Sequence, residues 1–104
     1  MKKTVYIFLF LLLSISIFRI NAQTNTYYGT NAGNGQIGSH NTSIGYDAGD
    51  IVTGSNNSVL GYYSGKELTT GYDNVLVGSS AGDNLTTGRQ NVLIGFTTGF
   101  YTTT

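Results

Sequence analysis

The chain has no cysteine and a single histidine, His40, among its 104 residues. Disulfides and a lipid-modified cysteine anchor are therefore excluded, and one imidazole does not make a structural metal set. Charge is equally scarce, with five basic and five acidic residues making up 10% of the sequence. Lys2, Lys3 and Arg19 all precede residue 23; beyond it Lys66 and Arg89 face Asp47, Asp50, Glu67, Asp73 and Asp83, a net charge of minus three. Nucleic-acid binding through phosphate neutralisation needs clustered Lys and Arg, and none are clustered here. Polybasic docking to anionic lipid fails for the same reason.

Long apolar runs are confined to the start. Lys2 and Lys3 form a positive region, Val5 to Phe18 is apolar except at Ser14 and Ser16, and Ile20-Asn21-Ala22 ends in the small residue a signal peptidase selects. A spanning helix needs roughly 20 apolar residues, and this run stops short at Arg19. Residues 1–22 are therefore expected to be a helical, cleaved export signal, with a retained membrane anchor as the alternative. The mature form, residues 23–104, would then be extracellular or on a bacterial cell surface, with no membrane segment of its own. A domain of about 82 residues gains only a few kcal/mol from its core and often needs disulfides, a metal or association to persist. With the first two missing, association is the remedy left.

What is abundant is glycine, and fourteen of the fifteen fall on one repeating frame. Gly29, Gly45, Gly61, Gly78 and Gly95 are followed four residues later by Gly33, Gly49, Gly65, Gly82 and Gly99. Gly38, Gly54, Gly71 and Gly88 open each new unit three residues before Asn41, Asn57, Asn74 and Asn91, leaving Gly35 off the frame. The units read Asn25-Thr-Tyr-Tyr-Gly29, Asn41-Thr-Ser-Ile-Gly45, Asn57-Ser-Val-Leu-Gly61, Asn74-Val-Leu-Val-Gly78 and Asn91-Val-Leu-Ile-Gly95. The period is 16 residues from Gly29 through Gly61 and 17 from there to Gly95. Self-similarity at such a period marks a solenoid whose units bury their apolar faces against one another.

Apolar and β-branched residues between Asn and Gly favour a short strand, while glycine at this density costs a helix about 1 kcal/mol per residue. The expected fold is all-β: a short parallel β-roll or β-solenoid of about five coils of 16–17 residues, with glycine at the corners. Ile44, Leu60, Val77 and Ile94 follow Tyr28 in a column that is apolar in every copy, and this column is assigned to the interior. Ile37, Leu68, Leu85, Tyr101 and either Ile51 or Val52 are assigned to the opposite wall. The middle position, Val59, Leu76 and Leu93 with Tyr27, is apolar in four of five copies, Ser43 being the exception. A strand apolar on both faces is normally covered on both, so this second face is expected to meet another chain. Identical amides at Asn41, Asn57, Asn74 and Asn91 can bond along the stack, which is a structural role.

At Asn57-Ser-Val-Leu-Gly61, Asn74-Val-Leu-Val-Gly78 and Asn91-Val-Leu-Ile-Gly95 the chain resembles the head repeats of trimeric autotransporter adhesins of the YadA type. Gly45-Tyr-Asp-Ala-Gly49 is similar to arrays in other exported and tail-fibre-like bacterial proteins. The resemblance implies left-handed parallel β-rolls wound from three chains and a role in attachment. Unlike those adhesins, residues 23–104 hold neither the heptads of a stalk nor the alternating strands of an anchoring barrel.

Chemistry is hard to find. His40 sits at an expected corner, where a solvated turn residue is the simpler reading, and no serine and carboxylate are arranged around it. Asp47 and Asp50 lack counterparts in the next unit, and with Asp73 and Asp83 they form no calcium-binding column. No glycine pair carries the Lys-Ser or Lys-Thr of a phosphate loop. Asn41, Asn56 and Asn84 open glycosylation triplets, which are cheap in a sequence this rich in Asn and Thr. No cofactor or metal is expected. The expected function is a non-catalytic, exported structural or adhesive module that attaches to a cell surface, host or matrix receptor as a homotrimer. The alternative is an ice- or glycan-binding solenoid using a ladder of Thr69, Thr86 and Thr103.

Overall fold

The computed structural model describes residues 2–7 and 24–100. Residues 2–7 are helical, and among the described residues no helix is long and apolar enough to cross a membrane. The rest of the expected export signal, Tyr101 and Thr103 lie outside the described residues.

Residues 24–100 form an all-β solenoid of about four turns. Its five strands are β1 (Thr26–Tyr28), β2 (Thr42–Ile44), β3 (Ser58–Leu60), β4 (Val75–Val77) and β5 (Val92–Ile94). They pair in parallel in sequence order, each residue lying over its counterpart: Thr42 over Ser58, Val59 over Leu76, Val77 over Ile94. Three-residue strands have no stability alone, and the backbone bonds here run chiefly from coil to coil. Gly61 N donates to Ile44 O, Gly78 N to Leu60 O and Gly95 N to Val77 O, all at 2.8 Å.

The corners explain the glycine columns. Gly45 has φ +133°, and a Cβ there would stand 2.5 Å from the carbonyl oxygen of Gly61 in the next coil. Both the left-handed backbone and the coil spacing therefore require glycine at this position. Left-handed geometry also reaches non-glycine residues in two columns, Asn31, Asp47, Tyr63, Ser80 and Thr97 after the corner glycine, and His40, Asn56, Asp73 and Gln90 before the asparagine. Asn and Asp tolerate that conformation. Tyr63, Ser80 and Thr97 are held in it by bonds from their amides to Tyr46 O, Tyr62 O and Ser79 O, respectively.

The interior corrects the expected strand faces. Val59 and Leu76 are buried in the core, and Leu93 packs partly buried against it. Leu60 and Ile94 of the column assigned to the interior are instead 47% and 66% exposed, and Ile44 and Val77 are only partly covered. The two faces are exchanged because the asparagines point inward. Asn57 and Val59 are both 1% exposed, and side chains two apart on extended chain share a face, so an inward amide draws the middle strand residue in with it. Ser43, the polar residue of that column, is also buried and accepts a hydrogen bond from Gln36 Nε2 at 2.6 Å.

The opposite wall consists of Val52, Leu68 and Leu85, all buried, packed with Ala48 and Ala81. Ile51 is exposed, and Ile37, expected inside, is 70% exposed because Gln36 occupies the inward position of its coil and also bonds Gly49 O. At the first coil the ring of Tyr27 lies where a Cβ on Gly33 would stand, covering that end of the core. In a denaturant titration, Leu76→Ala is expected to lower the unfolding free energy by about 2–5 kcal/mol. Ile37→Ala should change it by less than about 0.5 kcal/mol.

Candidate functional site

The asparagine column forms a continuous amide ladder inside the solenoid. Asn57 Nδ2 donates to Asn41 Oδ1, Asn74 Nδ2 to Asn57 Oδ1 and Asn91 Nδ2 to Asn74 Oδ1, at 3.0–3.1 Å. The backbone N–H of each of these residues donates to the same oxygen as its amide. The second proton of each amide goes to the carbonyl that opens the following unit: Asn41 to Gly54 O, Asn57 to Gly71 O and Asn74 to Gly88 O. Asn57 and Asn74 thus use both protons and both acceptor positions within the protein, leaving nothing to offer a ligand. Burial at 1% likewise withdraws Asn41 from glycosylation, whereas Asn56 is exposed.

Ligand-accessible chemistry therefore lies on the outer surface. Its strand side carries Leu60, Val75, Val92 and Ile94 exposed, with Ile44 and Val77 partly covered. Phe96, at the corner beside β5, is 78% exposed. This apolar strip is the face that the sequence placed inside, while Val59, Leu76 and Leu93, expected to meet another chain, belong to the core side.

Around the corner from the strip, Tyr46 and Tyr62 follow equivalent glycines and stack with ring centroids 5.6 Å apart. Tyr62 also stacks on Tyr63 at 4.1 Å, and Lys66 Nζ lies 4.3 Å over the Tyr63 ring. A hydrogen bond and then the charge of Tyr62 push the Tyr63 hydroxyl up to about 12. Lys66 Nζ is 3.8 Å from Asp47 Oδ2, and Asp47 Oδ1 accepts from Asn31 Nδ2 at 2.9 Å. Asp47, which is buried, is thereby engaged in structural contacts. The tyrosine cluster was missed in the sequence, although Gly45-Tyr46 and Gly61-Tyr62 occupy the same frame position.

A third surface feature lies on another side of the coil, where Thr70, Tyr72, Thr87 and Arg89 line an open trough of roughly 530 Å³. Tyr72 and Arg89 pair as an isolated parallel bridge, and Arg89 Nη1 donates to the Tyr72 hydroxyl at 3.2 Å.

The remaining candidates do not converge. His40 is an exposed residue with φ 60°, and among the described residues no three His, Cys, Asp or Glu come together as a metal set. Thr69 Oγ1 donates to Thr86 O at 3.0 Å, and Thr53 Oγ1 donates to Thr69 O at 2.7 Å. Those hydroxyl protons are directed along the stack, to carbonyls of the following coil. No protein family, curated protein or solved structure matches the chain.

Asn74→Asp would set a carboxylate oxygen against two acceptors inside the ladder, and is expected to cost about 3–5 kcal/mol in denaturation at neutral pH. Asp83 responds oppositely to substitution. Burial raises its carboxyl, Glu67 raises it further, and Lys66 lowers it. A folded-state value above the unfolded one favours folding at low pH, and that contribution is lost as pH rises through it. Asp83→Asn should therefore raise the melting temperature at about pH 7 and leave it unchanged at about pH 3.

Proposed function

We propose that the chain is an exported, non-catalytic structural or adhesive repeat module that presents its stacked coils for attachment to a cell surface, host or matrix, and that it works as a homotrimer. The observation that carries the reading is the outward strand face. A solenoid wall that needs only to meet water would alternate apolar and polar residues. In β4 and β5, Val75, Val77, Val92 and Ile94 are all apolar and all point away from the core. Exposed apolar strips of this kind mark surfaces that another molecule covers. Three copies meeting along this face would bury it in a common spine and leave the tyrosine cluster and the trough outside. Export is supported by the Lys2-Lys3 start, the apolar run to Phe18 and the small residue Ala22.

Light scattering coupled to size-exclusion chromatography is expected to give three times the chain mass. Leu60→Lys combined with Ile94→Lys should give a monomer with unchanged β-type circular dichroism. A parent protein that is folded and monomeric at micromolar concentration would contradict the trimer.

A further inference from the structure

We propose that the trough between the Thr70–Tyr72 and Thr87–Arg89 segments is a binding site for a carboxylate-bearing sugar, such as one residue of a uronic-acid polysaccharide. It lies between two adjacent coils of one chain. Gly71 and Gly88 separate its lining residues in sequence; a Cβ on either would meet Leu68 or Leu85 in the core, so the outer space is bounded by the residues that flank them. Thr70 and Thr87 precede those glycines and Tyr72 and Arg89 follow them, all four exposed. Adjacent parallel strands are about 4.8 Å apart, so the trough offers matching groups at one-coil spacing.

Charge selects the class of ligand. Lys66 and Arg89 are the basic residues of 24–100, and Lys66 is paired with Asp47. Among the described residues no carboxylate pairs with Arg89, whose recorded partner is the neutral Tyr72 hydroxyl. A guanidinium has five N–H donors, so the bond to Tyr72 uses one and leaves an edge for the two oxygens of a carboxylate. The Tyr72 ring supplies an apolar face for the C–H side of a pyranose, and the threonine side chains border the space its hydroxyls would enter. One cation, with Asp73 next in sequence to Tyr72, matches a single carboxylate of the ligand, and the ring and threonines beside it match the sugar that carries it. The site uses two coils of a single chain, so it does not depend on the trimer proposed above.

The test is NMR of the purified protein, following the Arg89 side-chain Nε–H, assigned by its disappearance in Arg89→Lys, together with the Tyr72 ring signals. A galacturonic-acid trimer is the probe; its methyl ester, acetate and inorganic sulfate are the comparisons. The trimer should shift both sets of signals saturably, while its methyl ester and acetate each bind at least about tenfold more weakly. Tyr72→Ala should weaken trimer binding by about tenfold with the fold intact by circular dichroism. Three results would each overturn the proposal: no shift at about 10 mM trimer, acetate or sulfate binding as tightly as the trimer, or shifts centred on Tyr46 and Tyr62 that survive Arg89→Lys. Because the readout is residue-specific, loss of the site and loss of the oligomer are told apart by the light-scattering mass of the same sample.

Discussion

Each coil is held in place by the coil on either side, and the amide ladder sets the register of that contact. Asn41, Asn57, Asn74 and Asn91 lie one above the next, and each Oδ1 from Asn41 to Asn74 receives both a side-chain and a backbone N–H from the following unit. A slip by one residue would leave buried amides unpaired, and unpaired buried polar groups cost about 1–3 kcal/mol each. A ladder this fully satisfied therefore works as a register device as well as a source of stability. It also absorbs the change of period from 16 to 17 residues, because the spacing added between Gly61 and Gly78 lies outside the segment from asparagine to glycine.

Interior chemistry changes along the axis. The first coils are closed by Tyr27, Gln36 and Ser43, with Gln36 Oε1 buried and unpaired. Later coils are filled by Val52, Val59, Leu68, Leu76 and Leu85. Apolar burial contributes about 25 cal/mol per Å², so the aliphatic coils carry most of the stabilisation. The early coils contribute pairing and an end cap.

With the inside fixed by repetition, variation moves outward. The strand side bears the apolar strip, the corner after it bears Tyr46, Tyr62 and Tyr63, and the glycine corner before the asparagine bears Tyr72 and Arg89. These three surfaces are distinct because one coil presents several sides, and each column of side chains keeps to one of them. The order of the coils comes from bonds between them, so exposed positions are free to differ between units.

From the sequence alone, glycine and asparagine spacing determined the solenoid, the coil length and the strand positions, because only a stacked repeat explains identical residues at corners 16 or 17 apart. Leu68 and Leu85 were legible as interior for the same reason. The direction of each strand side chain was not. Alternation gives two faces without saying which is inside, and the more uniformly apolar column, Ile44, Leu60, Val77 and Ile94, turned out to be the outer one. Only the tertiary structure decided this, since the inward turn of the asparagines depends on carbonyls one coil away. The Tyr72–Arg89 pair was hidden for a related reason: its members are 17 residues apart in different units and meet only when the coils stack.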